Sequence, residues 1–154
     1  YYLGGINLRD LLTYNFKDKD YMRYIRHKTR NSKKGENEIV FTLQPEAKVI
    51  IDKYLTKEGY LKFGKYSSYK QIYSLIFRHI GKVSILSGIK KKVTYYSARK
   101  TFAQHGYNLG IQIEKIEYCI GHSMKNNRPI FNYIRIMQEH ADKVFREIFD
   151  QLLR

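Results

Sequence analysis

Apolar residues recur along this chain with two periods, near 3.6 and near 2, and the switches between them delimit its elements. Asn7 stands where a helix cap would, ahead of Leu8, Leu11 and Leu12, with Asp10 at the third helical position to balance the cap. From Tyr21 to Thr29 the pattern alternates, Tyr24, Arg26 and Lys28 against Met22, Ile25 and His27, and predicts a strand that Arg23 blurs. Asn31 to Gly35 is turn chemistry, and Glu38 to Leu43 reads as the returning strand of a hairpin. Pro45 suits a first helical turn that Ala47 to Leu55 continues.

Helical periods dominate the rest. Ser67 or Ser68 caps a long helix through Ile72, Leu75, Ile76 and Ile80 that breaks near Gly88. Thr94 opens a helix carrying Arg99, which Gly110 ends, and Ile111 to Ile120 predicts another. Ile136 to Leu153 closes the chain, with Val144, Phe145, Ile148, Phe149 and Leu152 forming one apolar stripe. The expected fold class is α+β, mainly helical with one small antiparallel sheet, in a single domain over residues 1–154. There is no internal repeat and no low-complexity segment.

Charge narrows the function classes. Lys and Arg outnumber Asp and Glu 29 to 14, a formal net charge of +15, and such a field first suggests a nucleic acid partner. A membrane span needs about 18 consecutive apolar residues, and no stretch approaches that. One cysteine, Cys119, excludes an intramolecular disulfide and fits a reducing compartment, so a cytoplasmic, nucleoid-associated prokaryotic protein is expected. A single cysteine with scattered histidines offers no zinc spacing, and no carboxylate cluster suggests a two-metal nuclease.

The candidate chemistry lies in two short strings, Tyr96-Ser97-Ala98-Arg99-Lys100 and Gly121-His122, with a phenol at Tyr133. An arginine on a helix is usually solvated. Here Phe102 and Ala103 lie one turn on, which seats the Arg99 guanidinium at the edge of the core, where it can recognise a phosphate bidentately. Lys100 can reach the same phosphate or stay in water. A lone histidine is more often structural, but His122 follows a glycine at a helix end, on a tight turn that can aim its ring into a cleft. Fifteen residues are tyrosine, most of them core or stacking residues. A phenol ionises near pH ~10, so a nucleophilic one needs neighbouring cations.

These strings, in this order on a basic chain, resemble the catalytic domain of tyrosine recombinases, the phage integrase family, over nearly the whole length. Gly5-Ile6-Asn7-Leu8-Arg9-Asp10 resembles the family's early helix and His27-Lys28-Thr29 its hairpin lysine. Arg99 to Ala103 resembles the second arginine box and Cys119 to Ser123 the late histidine box. The resemblance implies a site-specific recombinase or integrase of a mobile element, which cuts and rejoins DNA through a 3′-phosphotyrosine link without metal, ATP or other cofactor. Tyr133 is then the nucleophile, as the phenol that follows His122, at a gap of 11 residues somewhat longer than is usual. Lys28 becomes the general acid for the leaving 5′ oxygen, while Arg30, Lys33 and Lys34 grip backbone phosphates of double-stranded DNA.

Two positions depart from the family pattern. Asn7 stands where the early arginine is expected, and Arg9, two residues on, faces away by about 200° of helix turn. Arg26 shares a strand face with Lys28 and is the preferred source of the missing charge. Tyr96 takes the place of a histidine, so Lys100 is expected to supply that cation. The resemblance further implies a tetramer on DNA with C-terminal segments, here residues 137–153, exchanged between protomers, although the last apolar stripe equally suits packing on its own domain. Tyr1-Tyr2-Leu3 reads as the tail of an apolar helix, and a chain without an initial methionine is expected to be part of a longer protein. A type IB topoisomerase and a non-catalytic DNA-binding module remain the alternatives.

Overall fold

The computed structural model describes residues 1–28, 30, 38–122 and 136–153. Asn7 holds extended dihedrals and α1 (Leu8–Thr13) begins at the next residue, but the Asn7 side chain makes no capping bond. Asp10 is buried and does not balance a cap either; its Oδ1 accepts the backbone N–H of His27 at 2.8 Å. That bond bears on the hairpin. β1 (Tyr21–Ile25) pairs antiparallel with β2 (Glu38–Thr42), from Tyr21 opposite Thr42 to Ile25 opposite Glu38. The strand expected to reach Thr29 therefore ends at Ile25, and just beyond it a buried carboxylate holds the His27 N–H. The other edge of β2 is covered: Val40 N–H donates to the Tyr118 hydroxyl and Thr42 N–H to Asp142.

Helices α2 (Pro45–Tyr54), α3 (Tyr69–Leu86), α4 (Ser97–Asn108) and α5 (Ile113–Cys119) follow in turn. Pro45 opens α2 because it lacks the N–H that a first turn leaves unused, and Ser68 caps α3 by accepting from Gln71 N–H at 3.3 Å. α4 starts three residues later than Thr94, which instead turns against Ser97. α3, α4 and α5 all end in the same way. The N–H of a glycine, Gly88, Gly110 or Gly121, reaches back to the carbonyl three residues earlier, and the next residue's N–H reaches back five.

The core lies between β2, α4, α5 and α6 (Gln138–Asp150). Phe41 stacks on Phe145 with ring centroids 4.6 Å apart, and Phe102 and Phe149 close the cluster. Of the predicted α6 stripe, Val144, Phe145, Ile148 and Phe149 are buried in this same domain, while Leu152 is exposed. Polar contacts anchor the helix too: Asp142 accepts from both the N–H and the hydroxyl of Thr42, and Arg146 forks onto Glu46 of α2. Tyr1 to Leu3 lie in a turn that Gly4 and Gly5 close at positive φ; the Tyr1 and Tyr2 rings pack on Phe149. By contrast α3 buries little beyond Ile72 and Ser84, and leaves Tyr69, Tyr73 and Phe77 exposed. The fold is α+β, mainly helical, with one two-stranded antiparallel sheet among the described residues.

Candidate active site

The C-terminal turn of α5 organises the site. Gly121 has φ +68°, which a side-chain-bearing residue rarely adopts, and its N–H bonds Tyr118 O while His122 N–H bonds Glu117 O, both at 2.8 Å. This turn presents two successive carbonyls outward, and each receives a guanidinium. Arg99 Nη2 donates to Ile120 O, and Arg26 Nη1 donates to Gly121 O at 2.6 Å. Carbonyls at a helix C-terminus carry partial negative charge and lack helical partners, so they are apt acceptors for cations.

Each guanidinium has a second anchor near α1. Arg99, only 3 % exposed, donates through Nη1 to Gly5 O at 3.1 Å. Asn7 meets Arg26: with its amide turned so that oxygen faces donors, it accepts from Arg26 Nη2 at 3.0 Å and Nε at 3.2 Å. Close approach requires glycine twice. A Cβ on Gly5 would lie 2.3 Å from Arg99 Cα, and one on Gly121 would lie 2.6 Å from Arg26 Cδ.

Charge and burial then act on each group. Burial first, and the neighbouring Arg26 charge second, weaken the hold of Arg99 on its proton. Arg99 Nε is buried and has no hydrogen-bond partner among the described residues. His122, half-buried, is held below the ordinary histidine value by burial and then by Arg99 and Arg26. Glu117, 3.9 Å from His122 Nδ1, pulls the other way and is outweighed. Tyr96 faces two cations, with Arg99 Cζ and Lys100 Nζ each 5.9 Å from its ring centre. Tyr24 and Tyr95 are pushed well above the ordinary phenol value, chiefly by burial, so neither yields a phenolate readily. Burial likewise raises the Cys119 thiol, which leaves it inert.

Arg26, Tyr96, Arg99, Lys100 and His122 are thus brought together from three separate stretches of chain. Arg26 arrives by a different route from the one its spacing predicts. It follows the end of β1, and the turn at His27 directs its side chain to Gly121, so strand alternation with Lys28 plays no part. Lys28 and Arg30 are exposed beyond that turn. Arg9 points elsewhere, its guanidinium 5.8 Å from the Tyr69 ring centre on α3. Tyr133, Lys33 and Lys34 lie outside the described residues. Asn7 reads in the sequence as a cap because that is the common use of asparagine before a helix; no local signal marks it as a partner of Arg26. Among the described residues no group of three His, Cys, Asp or Glu could hold a metal ion, and no helix is long and apolar enough to cross a membrane.

No family model and no solved structure matches the chain. It is 28% identical over 116 residues to a tyrosine recombinase of Pseudothermotoga lettingae, a match that covers 72% of this chain and 39% of that protein. The chain therefore spans well under half the length of that relative. This distant likeness suggests the tyrosine recombinase family.

Proposed function

We propose that this chain is the catalytic part of a site-specific DNA recombinase that breaks and rejoins strands through a phosphotyrosine bond. The observation that carries the proposal is the meeting of two guanidinia and an imidazole on the α5 turn, beside Tyr96 and Lys100. Two adjacent cations repel each other, and a fold that keeps them together favours an anion between them. A pentavalent phosphate gathers negative charge as it forms, so donors fixed in advance around it lower the barrier.

In this reading Tyr133 gives its phenolic proton up to solvent, its oxygen attacks the scissile phosphorus as the phenolate, and the bond to the 5′ oxygen breaks. The departing oxygen takes a proton from Lys28, and the 3′-phosphate remains on the tyrosine. Arg26, Arg99 and His122 bind the non-bridging oxygens, Tyr96 donates a further hydrogen bond and Lys100 adds charge. The bond energy is stored in the link, so the reverse attack by a 5′ hydroxyl rejoins DNA without metal or ATP. Arg30, Lys33 and Lys34 hold duplex backbone phosphates, and recombination pairs several protomers on two duplexes.

A nicked suicide duplex tests the assignment. The full-length protein should trap a covalent adduct whose mass maps to Tyr133, and Tyr133→Phe should bind DNA yet trap nothing. Tyr96 is the rival, being the exposed phenol beside Arg99, so an adduct mapped to Tyr96, or one persisting in Tyr133→Phe, overturns the choice of nucleophile. Relaxation of supercoiled DNA without joining of partner strands would point to a topoisomerase. Tight binding with no adduct under any condition would leave only a DNA-binding module.

A further inference from the structure

We infer that Asn7 is a positioning residue for Arg26, a neutral clamp that fixes a cation of the site without cancelling its charge; this rests on the catalytic reading of Arg26 given above. Its sequence position suggests a helix cap, but its side chain caps nothing. Its amide oxygen instead receives two donors of one guanidinium, Nη2 at 3.0 Å and Nε at 3.2 Å, while Gly121 O receives Nη1 at 2.6 Å. Acceptors on two sides of a planar group fix both its position and its plane, as a single contact does not.

The chemical type of the clamp matters as much as its place. The oxygens of Asn7 and Gly121 are both neutral acceptors. An aspartate at position 7 would reach the same donors with a full negative charge and weaken the field that a phosphate meets. An amide gives the geometry alone. Asp10, three residues on, does not take over this role through Oδ1, which is held by the His27 N–H at 2.8 Å. That bond turns the chain immediately after Arg26, so Asp10 of α1 bends the backbone that carries the arginine while Asn7, just before α1, receives its side chain. Arg9, on the same helix, lies over Tyr69 and serves as the control.

Two measurements test the clamp. The first needs no activity: with arginine labelled at Nε, the Arg26 Nε–H should exchange slowly with water in the full-length protein and in Asn7→Asp, and rapidly in Asn7→Ala. Equal protection in Asn7→Ala overturns the inference. The second is a double-mutant cycle in single-turnover cleavage. Asn7→Ala should slow cleavage by roughly tenfold or more in the wild-type background, yet by less than about twofold when Arg26 is already alanine, since the two act as one unit. Equal slowing in both backgrounds, or none in wild type, likewise overturns it. Arg9→Ala should cleave at the wild-type rate. Asn7→Ser, too short to span to Arg26, replaces Asn7→Ala if the alanine variant melts below the assay temperature. Normal cleavage by Arg26→Ala together with the expected exchange result would remove Arg26 from catalysis while leaving the clamp standing. Failure of every variant and of the wild type to form an adduct would remove the proposed reaction, and the exchange measurement would still decide the clamp.

Discussion

His122 shows how much a single residue's chemistry depends on neighbours remote in sequence. Burial and two guanidinia hold its imidazole below the ordinary value near 6.5, so it is neutral at pH 7 and acts as a hydrogen-bonding group, not a cation. In an NMR titration its midpoint should fall below that of an unperturbed histidine, rise in Arg99→Gln, and rise again when a duplex brings a phosphate beside it. A midpoint unchanged by Arg99→Gln would separate His122 from the arginines. The same shift has a sign for stability. The unfolded chain binds this proton more tightly than the folded one, so the contribution is present above about pH 6.5 and is lost as the pH falls through and below that value. The strings Arg99-Lys100 and Gly121-His122 were legible in the sequence because they are local. The arginine beside them at Arg26 came from 95 residues before Gly121, and only chain folding joins the two.

At the scale of elements, the end of α5 is where structure becomes chemistry. Gly110 and Gly121 both sit at positive φ past a helix end, +74° and +68°. A Cβ on Gly110 meets nothing within 4 Å, whereas one on Gly121 lies 2.3 Å from Ile39 Cδ1 and 2.6 Å from Arg26 Cδ. Gly110→Ala should therefore cost only the backbone strain of a left-handed alanine, about 1–3 kcal/mol. That is a fall of roughly 2–4 °C in Tm per kcal/mol for a chain of this length. Gly121→Ala should lose at least as much stability and also displace Arg26, cutting cleavage by about 10²-fold if that guanidinium stabilises the transition state. Thermal melts with single-turnover cleavage check both, and equal cleavage by the two variants would detach Arg26 from the α5 turn. Element existence followed the hydrophobic periods closely. Element ends did not: β1 stops at Ile25, where Asp10 takes the His27 N–H, and a carboxylate 17 residues away leaves no trace in the local pattern.

For the molecule as a whole, charge is distributed unevenly. No Asp or Glu lies between Glu58 and Glu114, a stretch that includes α3 and the Arg99 helix and continues to accumulate Lys and Arg. A surface that tracks duplex phosphates releases counterions, with log affinity falling by about 0.9 per contact for each unit of log salt. The slope for duplex DNA should be steeper than about −2, and Arg30→Ala should flatten it by about one contact without moving the attached tyrosine. A slope near zero in a fluorescence anisotropy titration would remove DNA as the partner. α6 bears on assembly: its stripe packs on β2, α4 and α5 of its own domain, held by Asp142 and Arg146, so any exchange between protomers must first give up these contacts.

The sequence by itself determined the class of fold, the net basic charge and the order of the candidate strings, because periodicity, composition and short motifs are read from the residues without their arrangement in space. Arg9 and Asn7 do face apart, although Asn7 stands before the helix in an extended conformation, outside the helix geometry on which that expectation rested. Tertiary structure alone decided how the charges meet. Whether Asn7 caps a helix or clamps Arg26, and which carbonyls receive the two guanidinia, depends on α1, the end of β1 and the α5 turn approaching one another. A guanidinium finds its partners by distance in space, and such distances follow from a packed core, where Phe41 and Phe102 both meet Phe145, which no local pattern encodes.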